Sequence, residues 1–437
     1  MLPELKKGSV MKLGFICPNL PGHINPAATF ARKLQARNHE VVFLYSSDAV
    51  GLPCAPGPQK DHIVRKVPEV SKMHGNDALE FSVGAIMAQT ETILETLPAM
   101  VKENGIDALI IDTVQFYAEL GAIHLGLPYI QIAGALHIDF TGYTPLSIYG
   151  WPHQTTPEAL ARNQDGLVNF TRILRLGDTG VRAYAKRVGL KVDWDDLSST
   201  VSPLASITQV PKAFDFENPY WPPQFHHTGP FHDDESRPKV EFPWDRVTGE
   251  PMVYASMGTI LNGRADVFRT MVGALAKHKD LQLVLSVGEN VDPAQIGPVP
   301  SNAIIVKKAP QLELLKKASV CITHAGLNTV LESLAQGVPQ VAIPVTYDQP
   351  GVAARIANKR TGVVTSLDKL SVDHLSALLD IVLSDPIYRE NARKLQQAIT
   401  EANGLSVAAD LVERALKARN AATAAEPMFP AISALPF

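Results

Sequence analysis

The polar residues whose types and spacing can do chemistry fall mainly in two parts of the chain. The denser group lies in the run SVCITHAGLNTVLESLAQGVPQVAIPVTYDQ, residues 319–349. His324 follows a short apolar run, and Gly326, with no side chain, lets a ligand approach the backbone closely. Asn328 and Thr329 open a helical pattern, where free N–H groups and the helix dipole favour a phosphate. His324 can donate to the same anion. Glu332 stands one turn in from Asn328 on the same face, and a carboxylate there suits the vicinal hydroxyls of a ribose. Asp348 and Gln349, just before Pro350 at a helix N1 position, supply an acceptor and a donor for sugar hydroxyls. Phosphate, ribose and sugar groups in that order describe a nucleotide sugar. Taken singly, each residue also fits an ordinary helix cap.

The second group is smaller. His23 sits in the loop PNLPGHIN, residues 18–25, whose single Gly22 lacks the G-x-G-x-x-G geometry that a dinucleotide needs. It reads either as a base at the mouth of a sheet or as a capping, solvent-facing residue. A histidine base needs a partner on its far ring nitrogen. Asp112, at the end of another strand-like run, is that partner or the cap of a helix over 114–125. Further on, the loop Ser256, Met257, Gly258, Thr259 combines hydroxyls with free backbone N–H groups and can hold a diphosphate.

The elements that position these residues follow from the apolar runs. Buried strands are expected at 12–17, 40–45, 108–111, 252–256, 281–287, 303–306, 319–323 and 340–343. Helices are expected from Pro26 to about residue 38, over 73–100, over 114–125, from Asn328 to the Gly337–Pro339 stop, and over 405–419. The stretch 136–151 is turn-rich and carries His137, Phe140, Tyr143, Tyr149 and Trp151, core aromatics by default. The result is an α/β chain of two parallel-sheet domains. Their bounds are expected at 1–230 and 246–404, with a linker at 231–245 and a C-terminal helix and tail at 405–437. The tail from residue 420 has no clear period.

At His324–Thr329, Leu331–Glu332, Gly337–Pro339 and Asp348–Gln349 the chain resembles the donor-binding signature of family 1 glycosyltransferases, closest to their macrolide and zeaxanthin glucosyltransferase branch. That resemblance implies the GT-B fold, two Rossmann-like domains facing a cleft. It also implies an inverting transfer of a hexose, glucose by the match at Gln349, from a UDP-sugar co-substrate to a hydroxyl of a small lipophilic acceptor. His23 matches the family's general base, and Asp112 the aspartate that orients it. Ser256, Gly258 and Thr259 resemble the family's serine-glycine turn. The backbone of Ala309 and Gln311 is placed to meet the base edge. Lys308 stands where the family often has a tryptophan that stacks on the base, which leaves that stacking without its usual residue. The resemblance calls for no metal and no cofactor. Two rivals remain: a nucleotide-sugar 2-epimerase, and a non-catalytic nucleotide-sugar binding protein.

Composition narrows the class. The 437 residues suffice for two domains, and the net charge of −4 gives no footprint for nucleic acid. Cys17, Cys54 and Cys321 are far apart and read as reduced thiols. No apolar run reaches a membrane span and the N-terminus lacks a signal-peptide core, so a cytoplasmic protein is expected, with peripheral membrane contact left open. Two patterns suggest metal and are set aside. Asp193-Trp194-Asp195 has no strand leading into it, and His226, His227 and His232 lie in a proline- and charge-rich stretch expected to be linker.

Overall fold

The computed structural model describes residues 10–58, 67–233, 239–260 and 262–422. Strands covered by helices on both faces must be apolar on both, and this governs both sheets. The first comprises β1 (Lys12–Ile16), β2 (Glu40–Leu44), β3 (Cys54–Ala55), β4 (Ala108–Asp112), β5 (Tyr129–Ala133), β6 (Ser206–Thr208) and β7 (Phe225–His227). All pairs are parallel, in the order β3-β2-β1-β4-β5-β6-β7. The second comprises β8 (Met252–Ser256), β9 (Gln282–Ser286), β10 (Ala303–Val306), β11 (Ala318–Thr323), β12 (Gln340–Ala342) and β13 (Gly362–Val364). It too is parallel, in the order β10-β9-β8-β11-β12-β13. In each sheet the direction of winding reverses beside the first strand. The resulting crevices, between β1 and β4 and between β8 and β11, are where such sheets receive ligands.

The helices are α1 (Pro21–Gln35), α2 (Gly75–Asn104), α3 (Glu119–Leu125), α4 (Pro157–Arg175), α5 (Thr179–Arg187), α6 (Ala265–Leu275), α7 (Gln311–Leu315), α8 (Leu327–Ala335), α9 (Gln349–Lys359), α10 (Val372–Ser384), α11 (Pro386–Ala402) and α12 (Gly404–Ala422). Phe15, Phe30 and Phe43 pack in the first core, and Val253, Phe268 and Leu283 in the second. Helix α12 returns to the first domain: Ala408, Ala409, Val412 and Leu416 join the Phe15 core, and Arg37 donates to Asp410 at 2.6 Å and Glu413 at 3.2 Å.

Four expectations need correction. Helix α1 begins at Pro21, not Pro26, so His23 lies in its first turn and not in a loop. Pro26 reads as the N1 residue, and Pro21 is the one that fills that place. Helix α3 starts at Glu119, five residues later than expected, because the chain first makes turns that put Tyr117 at φ 64°. His226 and His227 belong to β7 and not to a linker, since Phe225–His227 pairs in register with β6. Helix α2 runs four residues past the expected stop at 100, through Pro98, and ends on Gly105 at φ 61°. The linker positions 234–238 and the tail beyond 422 lie outside the described residues.

A buried ion pair ties the domains together. Arg355 of α9 donates from Nε to Asp215 Oδ1 at 2.7 Å, and both residues are at most 2% exposed. Asp215 Oδ2 lies 2.7 Å from His227 Nε2 and 3.0 Å from His137 Nε2. Burial alone would raise the Asp215 pKa. The His137 and Arg355 charges and the donated bonds outweigh it and hold the carboxyl well below its usual range. Arg355→Met should cost about 3–5 kcal/mol, because a buried charge is left without its cation. The double variant Asp215→Asn/Arg355→Met should regain most of that loss. Urea midpoints measure both, and a single variant as stable as the parent would show that the pair is not holding the domains.

Candidate active site

Helix α1 leaves β1 so that its first turn overlies the end of β4. The β1–β4 register pairs Ile16 with Ile111, which sets Asp112 at the rim of the crevice beside His23. His23 Nδ1 donates to Asp112 Oδ2 at 2.8 Å, and Asp112 Oδ1 accepts from the Val114 N–H at 3.1 Å. The two roles considered for Asp112, partner and turn cap, are thus filled by its two oxygens. Gly134 makes this contact possible, since a Cβ there would stand 2.7 Å from Asp112 Oδ2. Burial alone depresses the His23 pKa. The Asp112 charge and hydrogen bond, with Asp348 adding to them, outweigh it and leave the imidazole above its ordinary 6.5. The dyad leaves Nε2 as the nitrogen able to exchange a proton.

The second crevice is built around His324. Its ring is enclosed by two glycines: a Cβ at Gly258 would come within 2.5 Å of it, and one at Gly326 within 2.4 Å. Gly258 is also at φ 74°, in the left-handed region. The loop after β8 is held from within, as the Gly258 N–H donates to Ser256 Oγ at 3.2 Å and the Gly258 carbonyl accepts from Asn262 Nδ2 at 2.6 Å. Asn290 Nδ2 donates in turn to Asn262 Oδ1 at 2.5 Å. Thr259 is exposed beyond this turn. Helix α8 starts at Gly326 with no side-chain cap, so its first N–H groups face the same crevice unanswered by a side chain.

Further along α8, Gln311 Nε2 donates to Glu332 Oε2 at 2.5 Å and to Thr329 Oγ1 at 3.3 Å, and Tyr254 Oη donates to Gln311 Oε1 at 2.9 Å. Glu332, Thr329 and Gln311 therefore form one hydrogen-bonded cluster. Ala309 lies partly buried two residues before Gln311, and Lys308 is exposed and paired with Glu289 at 3.2 Å. Asp348 Oδ2 accepts from the Leu136 N–H of the first domain at 2.8 Å. Gln349 turns Oε1 onto its own loop, accepting from Val345 and Thr346 N–H at 2.8 and 3.2 Å.

Asp193 and Asp195 are exposed, with Asp195 paired to Arg175. Among the described residues, the one group of His, Cys, Asp or Glu with metal-ligand geometry is His137, Asp215 and His227. Arg355 already occupies the charge of that carboxylate. Gln209, Asn262, Tyr254 and Gly134 carry no motif in the sequence. Gln209 follows the short strand β6, and a polar residue at a strand's carboxyl end was the available clue.

Two parallel-sheet domains, each with a histidine at its switch point, fit the GT-B architecture. The family model for UDP-glucoronosyl and UDP-glucosyl transferase matches residues 95–401, and the chain belongs to that family. The zeaxanthin glucosyltransferase of Pantoea ananas is 26% identical over 92% of this chain and 95% of its own. The demethyllactenocin mycarosyltransferase of Streptomyces fradiae is 26% identical over 91% of this chain and 85% of its own. Among solved structures, the calicheamicin glycosyltransferase CalG4 superposes with a TM-score of 0.72 at 20% identity, over 94% of this chain and 99% of that one. The kitacinnamycin glycotransferase does so with a TM-score of 0.74 at 23% identity, over 93% and 100%.

Burial pushes the His324 imidazole down to about 4, against a smaller opposing pull from the Ser256 backbone. Its Nδ1 is buried and makes no hydrogen bond. Because the folded pKa lies below the unfolded value near 6.5, the folded state binds fewer protons between the two. His324 thus subtracts stability as pH falls through that window and costs nothing above it. The loss should approach about 2 kcal/mol near pH 4.5. The stability of His324→Gln relative to the parent should rise by that amount between pH 7.5 and 4.5, read from urea midpoints. An equal difference at both pH values would show that His324 titrates normally.

Proposed function

We propose that the enzyme transfers a hexose, glucose by its likeness at Gln349, from a UDP-sugar to a hydroxyl of a small lipophilic acceptor of the carotenoid, macrolide or phenol type, with inversion and without a metal. The observation that carries this reading is the His23–Asp112 pair at one switch point, set against the uncapped start of α8 at the other. The acceptor class is supported by the named acceptors of relatives, zeaxanthin and oleandomycin among them. A non-catalytic binding protein has no use for a histidine base oriented by a buried carboxylate.

In the proposed reaction the acceptor hydroxyl gives its proton to His23 Nε2 while its oxygen forms a bond to the anomeric carbon. The bond from that carbon to the diphosphate oxygen breaks on the opposite face, and UDP leaves with the electron pair. Asp112 holds the tautomer and offsets the imidazolium charge. The leaving charge is met by the first N–H groups of α8, by His324 and by the Ser256–Thr259 loop, so no cation is needed. Glu332 accepts from the ribose hydroxyls, and Asp348 and Gln349 address the sugar. No cofactor takes part, since every bond that changes lies in the two substrates or on the His23 imidazole.

The first test is a transfer assay with UDP-glucose or dTDP-glucose and a panel of macrolides, hydroxylated carotenoids and phenols, run in excess EDTA and read by mass spectrometry. Glucoside should form undiminished by the chelator. UDP-glucose should be favoured about ten- to a hundredfold, because a carboxylate that loses one hydroxyl partner loses a charge-assisted hydrogen bond. Activity that vanishes with EDTA and returns with magnesium, or equal use of both donors, would remove those parts of the reading. The second test is His23→Ala, which should cut kcat on an alcohol acceptor by ~10²–10⁴ and leave UDP affinity nearly intact. Near-parental turnover would show that another group is the base.

A further inference from the structure

Helix α1 contains a proline, Pro26, beyond its first turn. Lacking an N–H, Pro26 cannot bond the Gly22 carbonyl four residues back. That carbonyl accepts instead from Asn328 Nδ2, across the cleft in the second domain, at 2.7 Å. Asn328 Oδ1 accepts from Gln209 Nε2 at 2.8 Å. The same Gln209 nitrogen donates to the Gly134 carbonyl at 2.6 Å, and Gln209 Oε1 accepts from the Phe231 N–H at 3.2 Å. Gln209 is buried, and its amide meets an acceptor for each N–H and a donor for its oxygen.

This path encloses the dyad. It runs from Gly134, which packs against Asp112 and His23, through Gln209 and Asn328 to Gly22, the residue before His23. We propose that Gln209 is a positioning residue: it holds the Asn328 side chain as a bridge between α1 and α8, and so sets where His23 stands relative to a donor on α8. The inference rests on the reading of the reaction given above. The Asn328 amide then works between the domains, and the α8 backbone N–H groups are left for the diphosphate. Placement of this kind matters for rate, because a shift of about 1 Å at reacting groups costs on the order of a hundredfold.

The test uses the full chain. Gln209→Leu and Gln209→Glu, which keep the shape and lose both donated bonds, should lower kcat about ten- to a hundredfold. The Kd for UDP by calorimetry should change by less than about threefold, because neither change reaches the α8 backbone N–H groups. Pro26→Ala separates positioning from packing. It gives the Gly22 carbonyl a donor within its own helix and replaces a poor helix residue by a good one, so Tm should hold or rise while kcat falls. Hydrogen–deuterium exchange over residues 22–24 of the unliganded protein should quicken in Gln209→Leu, and this reads the bridge whether or not UDP-glucose is the donor. Parental kcat in Gln209→Leu, UDP affinity lost in step with kcat, unchanged exchange, or full activity in Pro26→Ala would each overturn the proposal. A parent protein that binds no UDP, with exchange still responding to Gln209→Leu, would count against the donor assignment and leave the bridge standing.

Discussion

A carboxylate with no solvent around it must find donors, and the Asp112 side chain has two. It is buried at the end of β4, taking the Val114 N–H on one oxygen and His23 Nδ1 on the other. An unanswered charge there would be far more costly than the bond is favourable. That asymmetry constrains much of the first domain. β1 and β4 must be neighbours, α1 must begin early enough to bring His23 over the β4 rim, and position 134 must lack a Cβ. The strand order supplies the first condition, Pro21 at the helix start the second and Gly134 the third.

The two switch points carry the same residue type with opposite electrostatics. Both histidines are partly buried, and the loss of water by itself favours neutral imidazole in each. At His23 the Asp112 and Asp348 carboxylates reverse that preference, whereas at His324 no carboxylate answers and the pKa drops to about 4. One imidazole is therefore ready to take a proton and the other to stay neutral and donate an N–H. Pairs of titratable groups driven apart by their surroundings are how one fold divides acid–base work. On the proposed reaction, His23 collects the acceptor's proton and His324 faces the departing diphosphate without competing for it.

The same weighing disposes of the metal-like patterns. Three groups converge on Asp215, yet the guanidinium of Arg355 is already bonded to its other oxygen. A cation brought to that carboxylate would meet a fixed positive charge with almost no water to screen it. The cluster reads better as an anchor: Asp215 belongs to the first domain, Arg355 to α9, and α9 begins at Gln349 beside Asp348. Leu136, next to His137, is bonded to that same Asp348. Adjacent residues of one loop thus fix both the start and the middle of the helix that carries the proposed sugar-binding pair.

What was legible in the sequence follows from range. β1, β2, β4 and β8 to β12 were readable because parallel strands are apolar without interruption, and α8 because its stripe and Gly337 stop are local, whereas β3, β5, β6 and β13 drew no expectation. β7 was hidden by the prolines and charges around Phe225–His227, although its pairing with β6 is regular. Asn262 and Arg355 left no trace and Gln209 only its place at a strand end, since the bonds from Gln209 to Gly134 and Asn328 and from Arg355 to Asp215 span 75 to 140 residues and Asn262 serves a loop with no motif of its own. Pro26 is the instructive case. As a local signal a proline at the head of an apolar periodic run says that a helix begins, and here that was wrong by five residues. Its physical content is narrower: one N–H is missing, so one carbonyl four residues earlier has no intrahelical partner. A helix can absorb that vacancy only if something else donates to the carbonyl. The donor turned out to be Asn328, 306 residues away in the signature read as donor-binding. The proline that misplaced the helix start thus leaves open the one carbonyl through which the two halves of the site are joined.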